Sequence, residues 1–228
     1  MKRIFWLFLV CLIAVPAVAE ELKTEKEKIS YAIGMSIGSD MQRQELDLDV
    51  KLLADGLSAA YADQETLLSQ EDMVKTLVAF QQKKQAELQA KAAEIGDKNK
   101  AAGQKFMGEN ATKEGVKTTA SGLQYEVLTE GQGATPTADD KVTVNYRGTL
   151  VDGTEFDSSY KRGEPVSFPV NGVIAGWTEA LQLMKEGDKF RLVIPENLAY
   201  GERGAGQLIG PGSTLVFEVE LIKVEKKK

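Results

Sequence analysis

The hydrophobic pattern of the chain changes near residue 122. Before that point, apolar side chains recur at three- or four-residue steps, the period of an amphipathic helix; beyond it they alternate with polar ones, the period of a half-buried strand. The span between Pro16 and Pro136 has no proline and is rich in good helix formers. The pattern therefore predicts an α+β chain whose first part is all-helical and whose second part consists of strands and turns.

Two short amphipathic helices are predicted near the start, over residues 23–42 and 49–62. Their apolar stripes are Ile29, Ile33, Ile37 and Met41 in the first helix, and Val50, Leu53, Leu57 and Tyr61 in the second. One chain offers too little material to cover both stripes, so we expect residues 20–68 to be a dimerisation region covered by a second copy. A local three-helix cluster with the next helix is the alternative.

A third and much longer helix is predicted to begin at Ser69 and Asp72, which fit a helix-capping pattern. A continuous helix of about 40 residues would be about 60 Å long, so we expect its middle to stand in solvent as a spacer. A coiled coil is the alternative. Bending is expected at three glycines, Gly96, Gly103 and Gly108. We predict residues 69–115 as a connecting helix with its linker, and residues 111–121 as the junction between domains.

Strand signals follow the junction and surround one helix signal. The predicted strands cover residues 123–128, 141–150, 165–170, 189–194 and 214–224. The predicted helix covers residues 173–184 and carries its apolar side chains at three- to four-residue steps: Ile174, Trp177, Leu181 and Met184. Residues 116–228 are therefore predicted to form a bent antiparallel sheet wrapped on one short helix.

Composition narrows the chemistry of the chain. There is no histidine and a single cysteine, Cys11, so Ser-His-Asp and Cys-His nucleophilic schemes are excluded and neither a metal nor a cofactor is expected. The chain carries 28 Lys and Arg against 34 Asp and Glu, a net charge of −6, which disfavours a nucleic-acid partner. An enzyme of this composition must work mostly without proton transfer.

Residues 1–19 have the three-part layout of a secretory signal peptide. Lys2 and Arg3 precede an apolar run over residues 4–15, and Ala17 and Ala19 supply the small residues of a cleavage site. The run is shorter than the roughly 20 residues that cross a bilayer, so a membrane anchor is disfavoured. We expect Cys11 to leave with the signal and the remaining chain to have no membrane span. We expect this mature chain in the periplasm, with the outer surface or secretion as alternatives.

Three separated blocks of the second part supply aromatic rings, with one carboxylate, Asp157, predicted beside them. The blocks are VNYRGTLVDGTEFDSSY at residues 144–160, VIAGW at residues 173–177 and LAYG at residues 198–201. With these blocks in this order, residues 122–224 resemble the FKBP-type peptidyl-prolyl isomerases, in the two-domain Mip-like (macrophage infectivity potentiator) subgroup. The resemblance implies the FKBP-like fold, dimerisation through the helical part, and a pocket that takes macrolide-type ligands.

The chemistry implied is rotation about the bond that precedes proline, whose barrier is about 20 kcal/mol. Twisting the amide makes it less polar, so an apolar, water-poor pocket favours the twisted form without any nucleophile. Catalytic roles are expected for Tyr146, Phe156, Asp157, Trp177 and Tyr200. Substrate-binding roles are expected for Arg162, Phe168, Val173, Ile174, Leu208, Ile209 and Phe217.

Several of these residues have a plainer alternative. Phe168 and Phe217 lie on apolar strand faces and are nearly as easily explained as core residues. Asp157 is interpreted as a site carboxylate near the rotating carbonyl or as a partner of Tyr146 or Arg162; without the resemblance, an ordinary turn would be the better interpretation. Trp177 is expected to form the pocket floor, and the Ile174 N–H to bind a substrate carbonyl oxygen.

We therefore expect an exported, dimeric peptidyl-prolyl cis-trans isomerase acting on unfolded or partly folded, proline-containing clients. Two pockets carried on long helices would raise the apparent affinity for one client through effective concentration. The alternatives are a non-catalytic holdase that binds exposed apolar segments, and a surface adhesion module that binds a folded partner.

Overall fold

The computed structural model describes residues 21–227. The predicted signal peptide, with Cys11, lies outside the described residues. The chain divides into two compact units, Met1–Asp72 and Met73–Lys228.

The first unit contains two helices, α1 (Glu25–Arg43) and α2 (Val50–Tyr61), where the periodicity predicts them. Thr24 and Glu27 form a capping box at the start of α1, in which each side chain accepts a hydrogen bond from the backbone N–H of the other. Asp49 begins α2 by accepting hydrogen bonds from two backbone N–H groups. No residue of either helix is buried, so the apolar stripes are uncovered in the single chain.

The apolar stripes of α1 and α2 border a groove with a volume of about 410 Å³. The residues that line it come from both helices and the turn between them: Gly34, Ile37, Gly38, Met41, Gln42, Leu46, Leu48, Val50, Leu53, Ala54 and Leu57. A Cβ atom added at Gly34 or Gly38 would have no atom within 4 Å, so the backbone of α1 is open to a neighbour there.

Helix α3 (Gln70–Ala111) is a single helix of 42 residues. Its start has the predicted cap, because the Ser69 hydroxyl accepts the Asp72 N–H at 3.1 Å and donates to the Asp72 carboxylate at 2.7 Å. The helix continues through all three glycines. Residues 81–95, in the middle of the helix, are almost all exposed, whereas Gly96, Gly103 and Asn110 in its last part are buried against other residues of the second unit.

The rest of the second unit is built on one antiparallel sheet in the order β1-β2-β6-β7-β3-β4. Its strands are β1 (Val116–Thr118), β2 (Gln124–Thr129), β3 (Lys141–Leu150), β4 (Glu155–Ser158), β5 (Val166–Pro169), β6 (Lys189–Ile194) and β7 (Leu215–Glu225). Strand β3 pairs with β7 along its length, while its first half also pairs with β5 and its second half with β4. Register shifts on β3 at Thr143/Val144 and Gly148/Thr149 are the irregularities expected where a strand bends.

The five predicted strands are present, each within about one residue of its expected ends. Two short strands and one short helix, α4 (Ser159–Arg162), were not predicted. The prediction that residues 111–121 form only a junction is wrong in part, because β1 lies within them and pairs with β2. The predicted helix over residues 173–184 is shorter in the structure, where α5 is Ala175–Leu181. Elements of three or four residues are too short for a hydrophobic period to show.

Helix α5 packs on the sheet and completes the core. Its residues Gly176, Trp177, Ala180 and Leu181 are buried. A Cβ atom at Gly176 would overlap Ile194 of β6, so the missing side chain permits the close approach of helix and sheet. The strand that ends the domain contributes alternate residues to the same core: Leu215, Phe217, Val219 and Leu221. Residues 116–227 thus form a bent antiparallel sheet wrapped on the short helix α5, as predicted.

Candidate active site

A cavity of about 840 Å³ lies between α5, the β3–β4 hairpin and the loop that precedes β7. Its lining is mostly aromatic and aliphatic, with one carboxylate. The lining residues are Tyr146, Phe156, Asp157, Phe168, Gly172, Val173, Ile174, Trp177, Tyr200, Ala205, Gly206, Gln207, Leu208, Ile209 and Phe217. A concave, largely apolar site with few polar groups is the usual form of a ligand pocket.

Trp177 is the centre of the ring cluster in this cavity. Its ring centroid lies 5.1 Å from that of Phe217, 5.2 Å from that of Tyr146 and 5.5 Å from that of Phe168, each in an edge-on arrangement. The side chain is only 5% exposed. Its Nε1–H is buried and has no acceptor among the described residues. The indole is therefore fixed by neighbouring rings and presents an apolar surface to the cavity.

The β3–β4 hairpin places Phe156 beside this cluster. The hairpin turns at Asp152 and Gly153: the Leu150 N–H donates to the Thr154 carbonyl across the turn, and Gly153 has a positive φ of 88°. The Phe156 ring then packs edge-on against Phe217, with centroids 5.5 Å apart.

Asp157 is the centre of a polar cluster at the cavity wall, which it forms with Tyr146 and Arg162. The Tyr146 hydroxyl donates to one oxygen of the carboxylate, and the Arg162 guanidinium donates to the other. Arg162 also donates to the Tyr146 hydroxyl at 2.8 Å. The alternative turn interpretation is partly right too, because the Ser158 N–H donates to Asp157 at 2.8 Å and Ser158 caps α4. Three side chains thus fix one another at the edge of the cavity.

The charges of this cluster are stable. Partial burial raises the pKa of Asp157, but the hydrogen bonds from Tyr146 and Arg162 outweigh it, so the pKa of Asp157 lies below its ordinary value of 3.8. Burial, with the bond to Asp157, raises the pKa of Tyr146 above 10.0. The bonds to Tyr146 and Asp157 raise the pKa of Arg162 further. At neutral pH the carboxylate is ionised and is a poor proton donor or acceptor.

The loop of residues 201–214 supplies the remaining wall. Ala205 and Ile209 exchange backbone hydrogen bonds of 2.8 and 3.2 Å, which closes a narrow turn over residues 205–209. Ile209 is 9% exposed, whereas Tyr200, just before the loop, is 41% exposed and is not a core tyrosine.

The structure gathers eleven of the twelve predicted site residues in the lining of this cavity. The exception is Arg162, which is not a lining residue but donates hydrogen bonds to two of them, Asp157 and Tyr146. Sequence reasoning did not assign Gly172, Ala205, Gly206 and Gln207, which also line the cavity. Small and polar loop residues carry no periodic signal; Ala205, Gly206 and Gln207 lie in the glycine-rich segment after Tyr200, whereas Gly172 has no such signal.

Residues 21–227 contain neither a metal-binding cluster of side chains nor a candidate membrane helix. No group of three or more Cys, Asp or Glu residues in this range is arranged to hold a metal ion. No helix within it combines the length and the apolar character needed to span a membrane.

Comparison with known families gives matches over most of the chain. The family model described as FKBP-type peptidyl-prolyl cis-trans isomerase matches residues 132–222. The model described as the domain amino terminal to FKBP-type peptidyl-prolyl isomerase matches residues 26–127. Together they include the helices of the first unit and the whole of the cavity described above.

Individual proteins match over similar lengths. The probable FKBP-type peptidyl-prolyl cis-trans isomerase FkpA of Neisseria meningitidis is 46% identical over 201 residues, which is 87% of this chain and 74% of that protein. The outer membrane protein MIP of Legionella longbeachae is 42% identical, over 91% of this chain and 89% of that protein. The crystal structure of FkpA from Escherichia coli superposes with a TM-score of 0.68 at 42% identity, covering 90% of this chain and 99% of that one.

Proposed function

Since the chain belongs to the FKBP-type peptidyl-prolyl cis-trans isomerases, we propose that the cavity around Trp177 is where it binds and rotates the bond that precedes proline. The observation that carries this proposal is the convergence of six aromatic side chains and one ionised carboxylate on a single open cavity. The isomerase activity itself follows from the family, and the assignment of individual residues is the proposal.

The aromatic walls stabilise the transition state by excluding water. A planar amide is more polar than a twisted one, because twisting removes the conjugation between nitrogen and carbonyl. Transfer into the cavity therefore costs the twisted form less than the planar form, and the difference lowers the barrier. Trp177 supplies the flat floor for the proline ring, with Tyr146, Phe168 and Phe217 around it.

Two groups at the cavity bind the peptide backbone in this proposal. Ile174 is the residue before α5, and its N–H donates to no acceptor among the described residues, which suits it to a substrate carbonyl oxygen. The half-exposed Tyr200 offers a hydroxyl at the rim. Leu208, Ile209 and Val173 contact the residues beside proline. A macrolide-type ligand would occupy the same volume and inhibit the reaction.

Asp157 acts as a fixed charge in this proposal. Because Tyr146 and Arg162 hold the carboxylate ionised, it places negative charge near the carbonyl carbon of the rotating bond without exchanging a proton. The charge of Asp157 stabilises and positions the twisted amide electrostatically, and the reaction needs no general base.

The test is the cis-to-trans rate of a chromogenic proline peptide, coupled to a protease that cleaves only the trans form. We expect Phe156→Ala and Asp157→Ala each to lower kcat/KM about tenfold, equivalent to about 1.4 kcal/mol of barrier. Glu130→Ala is the matched control, because Glu130 is an exposed carboxylate of the same unit outside the cavity lining. Wild-type rates in both cavity variants would overturn the site assignment. No acceleration by the wild type would leave the holdase alternative.

The uncovered helices of the first unit support a homodimer. The groove between α1 and α2 is lined almost entirely by apolar side chains, among them Ile37, Leu53 and Leu57, which are 40%, 39% and 64% exposed. Gly34 and Gly38 leave room for a second helix to approach the backbone of α1. A second copy would cover this surface and bring two isomerase cavities into one assembly, which raises the effective concentration for a client with several prolines.

Export and client choice complete the proposal. Residues 1–19 have the layout of a secretory signal, which favours a mature chain that begins at Glu20 and acts in the periplasm on unfolded or partly folded proteins. Amino-terminal sequencing of the protein recovered from the periplasmic fraction checks this, and an uncleaved chain in the cytoplasm would contradict it.

A further inference from the structure

One face of helix α3 packs against the loop of residues 201–214, which forms a wall of the cavity. The face has helical spacing and consists of Ile95, Gly96, Asn99, Lys100 and Gly103. All these contacts lie within the second unit. The surface is unusual for a helix that packs on a domain, because its central members are two glycines and an amide.

Asn99 makes the specific contact at the middle of this face. Its amide nitrogen donates to the backbone carbonyl of Pro211 at 2.8 Å and lies 3.4 Å from the Ser213 hydroxyl. Ser213 in turn donates to the carbonyl of Gly210 at 2.8 Å. One side chain of the helix therefore holds the loop at Pro211 and Ser213, in a segment that lies outside any helix or strand.

The glycines allow the loop to reach the helix. A Cβ atom at Gly103 would overlap the Thr214 hydroxyl, and one at Gly212 would lie 2.6 Å from the carbonyl oxygen of Gly96. Gly96 itself is buried against Pro211 and Glu202. Lys100 adds an ion pair with Glu202 at the other end of the loop. Helix and loop are thus fitted along the whole contact.

The loop connects this contact to the cavity over a short distance. Gly212 donates to the carbonyl of Gly201 at 2.9 Å, which ties the helix side of the loop to the residue that follows Tyr200. Gly210, which accepts from Ser213, directly follows Ile209 of the cavity wall. A displacement of the loop from the helix would therefore move both Ile209 and Tyr200.

We propose that Asn99 is a positioning residue of the isomerase: through Pro211 and Ser213 it holds the loop of residues 201–214 in the place where Ile209 and Tyr200 complete the cavity. The proposal rests on the assignment of the cavity as the active site. It gives the last part of α3 a role in substrate binding, in addition to joining the two units of the chain. Only molecules with the loop in place bind peptide well. Weakening the contact reduces the fraction of such molecules, and the apparent affinity for peptide falls in proportion to that fraction.

The experiment compares full-length Asn99→Ala and Asn99→Asp with the wild type. Aspartate keeps the size of asparagine but cannot donate to the Pro211 carbonyl. We expect both variants to raise KM for the proline peptide about fivefold, the population shift that loss of one hydrogen bond produces, with kcat within about twofold of the wild type. Gln104→Ala is the control, an exposed amide on the same helix.

Hydrogen exchange gives a second readout that general destabilisation would not produce. We expect the amides of Ala205, Ile209 and Gly212 to exchange faster in both Asn99 variants, while amides of β3 and β7 exchange at the wild-type rate. If an Asn99 variant does not fold, Gly103→Ala tests the same contact by pushing Thr214 away.

The outcomes separate this proposal from the site assignment. A raised KM together with faster loop exchange supports the positioning role. An unchanged KM in the Asn99 variants overturns it, whether or not loop exchange changes. Faster exchange throughout the sheet also overturns it, because the residue would then be merely structural. Failure of the active-site assignment is recognised differently, by wild-type rates in Phe156→Ala.

Discussion

Asp157 keeps its charge because two neighbours donate to it from opposite sides. The Tyr146 hydroxyl and the Arg162 guanidinium also bond to each other, so none of the three side chains is free to rotate toward a substrate proton. In the proposed mechanism these side chains act by being immobile, in contrast to the acid-base pairs of hydrolases.

The rate should accordingly be independent of pH. The pKa of Asp157 is lowered and the pKa values of Tyr146 and Arg162 are raised from their ordinary values, which moves all three away from neutrality, and the chain has no histidine. We expect kcat/KM to vary less than about twofold between about pH 5 and about pH 9. NMR exchange of the proline peptide measures this without a coupling protease that has its own pH dependence. A bell-shaped profile in that range would show that a proton transfer is part of the reaction.

Gly148 provides a second test at the residue scale. A Cβ atom there would lie 2.6 Å from the Phe156 ring and 2.7 Å from the Phe217 ring. We expect Gly148→Ala to separate these rings, lower the free energy of unfolding by about 1–3 kcal/mol and reduce kcat/KM. Urea denaturation and the peptide assay measure the two effects.

The control for Gly148→Ala is Gly108→Ala in α3, where an added Cβ would meet no atom within 4 Å. This change should stabilise the protein by up to about 1 kcal/mol, because alanine is the better helix former. Equal effects of the two substitutions would contradict the proposed packing around Gly148.

The residues that could be predicted differ in kind from those that could not. Trp177, Phe156 and Asp157 stand in blocks whose order carries the family resemblance, so they were identified before the structure. Gly148 and Gly176 matter only through the absence of a Cβ atom against a distant side chain. Nothing in the local sequence distinguishes such a glycine from one in a turn.

At the scale of elements, the long helices and strands follow from periodicity, since each has enough residues to show it. The packing of α3 does not follow, because its contact face is made of glycines and an amide, and its partner loop is more than 100 residues away in sequence. The last part of α3 has few apolar residues, which favours exposure, but it packs on the loop of residues 201–214 through glycine backbone and hydrogen bonds.

The end of the sheet depends on a single buried carboxylate. Asp140, just before β3, accepts hydrogen bonds from the Thr137 N–H and hydroxyl, from the Lys227 N–H and from the Lys226 ammonium. It therefore joins the turn that starts β3 to the chain that follows β7. The hydrogen bond from the Thr137 N–H, followed by those from Lys227 and Lys226, holds the pKa of Asp140 well below its usual range.

Asp140→Asn should lower the free energy of unfolding at neutral pH. The folded pKa is depressed, so the stabilisation is complete above the unfolded pKa of about 3.9 and is lost as the pH falls toward the folded value. The difference between wild type and variant should therefore shrink in acid, as urea denaturation at pH 7 and at about pH 3 would measure. Asp139→Asn, at an exposed neighbouring position, is the control. A difference that does not change with pH would contradict this account.

At the scale of the whole molecule, the proposed dimer separates assembly from catalysis. The groove of the first unit and the cavity of the second are built from different residues. The sequence predicts the groove of the first unit, because the apolar stripes of its helices are too large for one chain to cover. It does not specify how a second copy is seated, because an apolar stripe has no register of its own.

Ile37→Glu tests the assembly, since it places a charge in the apolar groove. We expect light scattering to give twice the mass of one chain for the wild type and a single-chain mass for this variant. Peptide isomerisation should be unchanged, while refolding of a client with several prolines should slow as the effective concentration is lost. Ser39→Glu, at an exposed position of α1 outside the groove lining, should remain dimeric. A monomeric wild type would exclude any benefit from paired cavities.

Trp177 has one more consequence. It is the only tryptophan in residues 21–227, so the ultraviolet emission of this part of the chain comes almost wholly from the floor of the cavity. In the proposed site, a peptide or macrolide-type ligand that covers the indole would change its surroundings, and we expect the intensity or wavelength of the emission to report occupancy. The protein thus carries a built-in optical probe, and titrations can follow binding without attaching a dye.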